Sequence, residues 1–182
     1  AKRALGVETA EDGVLLLERG RYGIRRGAVV TDVEEFDRHV AAATRAHDPQ
    51  AALAALEAAA GLYRGHLLPD EANEPWTLVE RERLRLAYLT VLERLAEVRA
   101  ALGQVAEAEA RLRELLRLDP WREEVYRQLM RLLAADGRRA EALRLYHECA
   151  AALRRELAVE PSRETVALFE AIARGEPPER PS

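Results

Sequence analysis

Histidine and cysteine are the side chains from which metal centres and nucleophiles are most readily built, and this chain has few: His39, His47, His66, His147 and Cys149. No two of the histidines stand at the spacing of a metal-binding helix, and there is no second cysteine to share a metal. Cys149 falls at a small inward position of a helical pattern, where a buried thiol is inert. The stretch Gly20-Arg21-Tyr22-Gly23 lacks both the glycine spacing and the following helix of a phosphate-cradling loop. With no acid–base pair, metal set or phosphate loop in view, neither catalysis nor a metal or cofactor is expected.

What the chain has in abundance is arginine: Lys2 is the sole lysine among 28 basic residues. Arg19, Arg21, Arg25 and Arg26 gather around Tyr22. Such a group suits contact with nucleic-acid phosphates, which position a protein without reading sequence. It equally suits a charged strand edge that blocks edge-to-edge pairing, and on these residues alone the second use is favoured. Residues 1–27 hold six basic and four acidic residues; with a net charge of −4 over 182 residues, the remainder carries −6. An acidic body does not coat nucleic acid over its whole surface. The single cysteine suits a reducing compartment. Apolar runs such as Ala51–Leu56 are far short of the ~20 residues of a membrane span. No export signal is visible, so a cytoplasmic location without a membrane partner is expected.

The elements that must carry these residues are helical. From Asp32 onward Ala, Leu, Arg and Glu dominate, all strong helix formers. Asp48-Pro49 and Asp119-Pro120 each pair a capping carboxylate with a proline at the first helical position, and Ser162 caps a last helix. Gly65, Gly103, Gly137 and Gly175 stand where helices should stop. These signals predict seven helices, near 32–47, 49–64, 75–102, 105–118, 120–135, 138–157 and 162–174. Ahead of them, Val14–Glu18 and Arg21–Arg25 read as two short strands joined by a tight turn at Arg19-Gly20. An isolated hairpin is marginal in water. Since the chain also opens without Met inside what reads as the end of a helix, residues 1–27 are expected to be the tail of a domain whose front is missing. Residues 175–182 read as a disordered tail or linker.

The body repeats itself at a shift of 34 residues. Val91 matches Val125, Leu95 matches Leu129, Gly103 matches Gly137, Ala108 matches Ala142, and Leu112 matches Tyr146. Two helices per 34-residue unit resemble the tetratricopeptide repeat. The glycines turn the chain between paired helices, the alanines sit where the helices cross most closely, and Leu112 and Tyr146 fill the space one turn on. A looser upstream unit places Phe36, Val40, Ala52, Leu56 and Ala59 at equivalent positions, and residues 65–75 interrupt the period. The expected fold is all-α: three helix pairs and a capping helix in a right-handed superhelix, with a short N-terminal hairpin. Glu93, Glu97, Arg127 and Arg131 should face the concave side, where they either recognise a charged peptide or pair as ordinary helix-surface ions, the commoner outcome. Trp76 is either a partner anchor or, more commonly, a residue that pins the insertion to its neighbours.

Several segments together resemble the bacterial transcriptional activator domain of the antibiotic-regulatory family of transcription factors. They are Asp32-Val33-Glu34-Glu35-Phe36, Leu62-Tyr63-Arg64-Gly65, Leu67-Leu68-Pro69-Asp70, Trp76 with Glu80-Arg81-Glu82-Arg83-Leu84, Arg139-Ala140-Glu141-Ala142-Leu143-Arg144-Leu145-Tyr146 and Glu156-Leu157-Ala158-Val159-Glu160-Pro161-Ser162. The likeness spans about residues 28–174. It implies that a winged-helix DNA-binding domain precedes the helical one. Ala1–Gly6 would then be the last turns of its recognition helix and Val14–Arg25 its wing. The wing arginines would match phosphate-contacting positions, while the base-reading residues lie outside this chain. The resemblance further implies contacts with a second copy, or with RNA polymerase or its sigma subunit, in place of catalysis. The alternative is a free-standing repeat adaptor that binds peptide tails of partner proteins.

Overall fold

In the computed structural model, residues 15–18, 21–25, 27–65, 67 and 75–176 are described. The hairpin pairs β1 (Leu15–Glu18) antiparallel with β2 (Arg21–Ile24), with Leu15 opposite Ile24 and Glu18 opposite Arg21. The Arg19-Gly20 turn expected between them lies outside the described residues, as do Ala1–Gly6 and residues 177–182.

Among the described residues seven helices follow: α1 (Asp32–Arg45), α2 (Pro49–Leu62), α3 (Pro75–Ala101), α4 (Val105–Leu118), α5 (Glu123–Ala135), α6 (Arg139–Leu157) and α7 (Arg163–Arg174). Local chemistry sets their ends. Thr31 and Glu34 form a capping box: the Glu34 amide donates to the Thr31 hydroxyl (3.1 Å) and the Thr31 amide to the Glu34 carboxylate (2.9 Å). Asp48 accepts from the Ala51 amide (3.0 Å), with Pro49 at the first helical position. Ser162 caps α7, and Gly175, at φ 79°, ends it in the left-handed conformation that a side chain disfavours.

Several expected boundaries shift by one to three residues, and two of the shifts have a clear physical cause. Asp119-Pro120 closes α4 and does not open α5: the Asp119 amide donates to the Leu115 carbonyl (2.9 Å), and α5 begins only at Glu123 behind Arg122. A residue ahead of proline is pushed to extended geometry, so the dipeptide stops one helix before it can start the next. Gly65 does not cap α2, which ends at Leu62 with extended Tyr63 behind it. There the Tyr63 ring stacks on Tyr88 of α3 (centroids 4.0 Å apart, 10° between planes), so an aromatic contact redirects the chain.

Consecutive helices pack in sequence, and α5 also touches α7, giving a stack of three pairs with α7 as the lid. The repeat positions form its core. Ala108 and Ala142 are both fully buried, Leu95 and Leu129 are buried at 1% and 0%, and Leu112 retains 3% exposure. Tyr146 differs from its partner Leu112: it is half-buried and stacks on Phe169 of α7 (4.2 Å, 25°), sealing the end of the stack. Phe36, Leu56 and Ala59 place the looser first pair in the same core. Helix α3 starts well ahead of the point where the repeat would begin it. Arg81 anchors that extension to the Leu67 carbonyl (2.6 Å) and Arg83 ties it to Asp37 of α1 (2.9 and 3.0 Å).

Candidate functional site

The first helix of each pair, with α7, makes one side of the stack, and polar side chains cross it from helix to helix. Arg94 of α3 reaches back to α1, donating to the Thr44 hydroxyl (3.1 Å) and the Ala43 carbonyl (3.3 Å). Glu93 reaches forward, accepting from Arg122 (3.2 Å) and from Gln128 of α5 (3.3 Å). Arg127 of α5 donates to Thr165 (2.9 Å) and Ser162 (3.3 Å) at the start of α7, and pairs with Glu124 of its own helix. Beneath it Glu123 accepts from the Thr165 hydroxyl (2.6 Å), the Ser162 hydroxyl (2.8 Å) and the Ser162 amide (2.9 Å). Burial pushes the Glu123 carboxyl up, but the Thr165 and Ser162 hydrogen bonds and the Arg127 charge outweigh it and hold the group below the usual carboxylate range.

The four charged residues expected on this side therefore divide. Glu93 and Arg127 are engaged in holding helices together. Glu97 and Arg131, one turn further along α3 and α5, are not bonded in this way. Partial desolvation, with the Glu93 charge adding to it and Arg94 opposing, pushes the carboxyl of the otherwise exposed Glu97 upward. Arg131 has its Nε and Nη1 atoms buried with no hydrogen-bond partner. Of the four, Glu97 and Arg131 therefore carry the charge that is not committed to joining helices.

In the hairpin, Arg21 stands opposite Glu18 in the strand register and Arg25 is half-buried. Arg19 and Arg26 lie outside the described residues, as does the placement of the Trp76 side chain. No group of three or more potential metal ligands occurs among the described residues. The Cys149 thiol is fully buried, and burial, with a smaller push from Glu123, raises its pKa to about 12.

The second helices of the pairs carry two concavities that the residue pattern did not single out. One, of about 310 Å³, lies between α2, α3 and α4 and is lined by Glu57, Gly61, Tyr88, Leu95, Arg99 and Arg111. The other, of about 490 Å³, lies on α4, α5 and α6 with Tyr126 and Leu145 in its wall. The sequence held a signal for the first: Arg99 stands 34 residues before Leu133, a fully buried core position, so an arginine there departs from the repeat.

Comparison with known proteins places these features. Residues 31–173 match the bacterial transcriptional activator domain. The chain is 31% identical over 180 residues to the regulatory protein AfsR of Streptomyces griseus, covering 96% of this chain and 18% of that protein. It is 29% identical over 119 residues to the transcriptional regulatory protein MoaR1 of Mycobacterium tuberculosis, covering 65% of this chain and 38% of that one. Among solved structures, Mycobacterium tuberculosis EmbR, in complex with a low-affinity phosphopeptide, superposes with a TM-score of 0.64 at 26% identity, over 90% of this chain and 44% of that one. The chain thus spans about a fifth of the length of the first of these relatives. With the domain match running from the α1 cap to the last turn of α7, the chain belongs to the bacterial transcriptional activator domain family.

Proposed function

We propose that this chain is the activator segment of a bacterial transcription regulator: a DNA-binding winged helix positions it at a promoter, and the helical stack recruits protein. Residues 1–27 are then the end of that winged helix, with Arg19, Arg21, Arg25 and Arg26 supplying sequence-blind phosphate contacts. The contacts made by the stack are with a second copy, or with RNA polymerase or its sigma subunit. The observation that carries the reading is the domain match across residues 31–173, shared with proteins whose names are those of regulators. A regulator of transcription works in the cytoplasm, where bacterial DNA lies, and no described helix is long and apolar enough to cross a membrane. No step of recruitment calls for catalysis by this segment.

The test is a promoter-fused reporter in cells carrying the full-length parent gene, with and without residues 32–174. Loss of activation with retained promoter occupancy is the expected result. Undiminished activation by the deleted protein refutes recruitment.

A further inference from the structure

We propose that the end of the stack at which the chain enters it is a docking surface for the preceding winged-helix unit of the same chain, the unit that residues 1–24 would close. The inference rests on the functional reading given above for those residues. Short turns at 46–48, 102–104 and 136–138 join the helices of each pair, so directions alternate and α1, α3, α5 and α7 all begin at one end, opposite those turns. The Arg83–Asp37 and Arg94–Thr44 contacts, in step along α3 and α1, agree with this. Helices α2, α4 and α6 finish at the same entry end.

Every exposed large apolar residue among the described ones lies at that entry end. Val29 and Val30 stand in the connection to α1. Leu78, Val79 and Leu86 lie on the part of α3 that precedes its repeat counterpart, since α5 begins at Glu123, 34 residues after Leu89. Leu118 and Leu157 are the last residues of α4 and α6, and Trp121 and Val159 follow them closely. Single exposed apolar residues need no explanation, but their confinement to one end does. The charges there are largely spent: Arg83 is taken by Asp37 and Glu80, Arg85 by Glu82, and Arg122 by Glu93. Paired ions beside bare aliphatics suit a protein surface and not a phosphate backbone.

The chain itself says what covers the surface. Ile24 ends β2 and Thr31 caps α1, so a tether of at most about 25 Å separates the hairpin from the stack even if fully extended. A turn shortens it further: Gly27 has φ 79°, and the Ala28 amide donates to the Arg25 carbonyl (3.1 Å). So short a tether holds the preceding unit at an effective concentration in the millimolar range, ahead of a second copy in dilute solution. It delivers that unit to the end where Val29, Val30, Leu78 and Val79 are bare. Docking there sets the stack at a fixed offset from the DNA.

The experiment is limited trypsin digestion of the full-length parent protein, with cleavage after Arg25 and Arg26 in the tether followed by mass spectrometry. Docking shields the tether. Val79→Glu, at a position 79% exposed, and Leu86→Glu, at one 51% exposed, should each speed that cleavage at least 10-fold while the thermal midpoint and promoter occupancy are kept. Equal cleavage in the parent and both variants overturns docking at this end. Protection that rises with protein concentration, with a dimer in light scattering that either variant breaks, gives the surface to a second copy and overturns the intrachain occupant. Both of those results leave recruitment standing. A parent that does not occupy its promoter overturns the proposal together with the reading on which it rests.

Discussion

Replacing Thr165 with valine removes one hydroxyl at a fully buried position and nearly preserves its shape. That hydroxyl donates to Glu123 (2.6 Å) and accepts from Arg127 (2.9 Å), so both charged partners on α5 lose a bond in a place water does not refill. Hydrogen bonds to charged groups are worth about 1.5–3 kcal/mol each. The remaining Ser162 contacts partly compensate, so a net loss of about 2–3 kcal/mol is expected. For a domain of this size that lowers the thermal midpoint by about 4–12 °C. The effect should also be local: amide exchange should accelerate in α7 more than in α1–α4, because the knot joins only α5 to the lid. A pH series adds a sign. Glu123 is held below its unfolded value, so its contribution is present above the ordinary carboxylate range and is lost as pH falls through the folded value. In Thr165→Val the carboxyl moves back toward its unfolded value, and the gap between the two proteins should narrow as the pH is lowered. Urea unfolding of Thr165→Val within about 0.5 kcal/mol of the parent, the range of an ordinary surface change, would refute the claim that this knot docks the lid.

Ala142→Leu forces three extra carbons into the closest helix crossing, fully buried, and should cost about 1–3 kcal/mol or more by urea denaturation, whereas Ala51→Leu on the exposed side of α2 should cost little. Cys149 should resist thiol reagents at pH 8 in the folded chain and react fully in denaturant, since burial holds its pKa near 12. Glu97 has the opposite sign to Glu123: partial desolvation and then Glu93 raise its folded pKa, so its ionised form opposes folding at neutral pH, by an amount that solvent screening at this exposed residue keeps small. Glu97→Gln should therefore raise the thermal midpoint slightly at pH 7, and the gain should vanish once the pH falls below the unfolded carboxylate range.

Most of the fold was legible because its signals are local. Asp48-Pro49 and Ser162 cap where expected, and the alanines and leucines of the 34-residue register are buried where expected. The errors lie where a signal has two physical uses. Aspartate before proline serves equally to stop a helix or to start one, and only the Leu115 carbonyl taking the Asp119 amide decides between them. Gly65 had the composition of a cap, but the Tyr63–Tyr88 stack, across 25 residues of chain, settles where α2 ends. The candidate face was legible only as positions. That Arg127 is tied to the lid while Arg131 is not depends on α7, whose register against α5 no local pattern encodes.

The charges of the first-helix side also show why counting them overstates a binding surface. Glu93 and Glu97 stand 34 residues before Arg127 and Arg131, so adjacent repeats present opposite signs at equivalent positions. A simple reading pairs each glutamate with its arginine across the groove. The bonds run otherwise: Glu93 is taken by Arg122 and Gln128, and Arg127 by the start of α7. Each of those contacts ties neighbouring pairs together, which a stack stabilised only by nearest-neighbour interfaces requires. The charge freed for a partner is what remains after that requirement is met. Of these four charges it narrows to Glu97 and Arg131, one turn beyond the bonded residues.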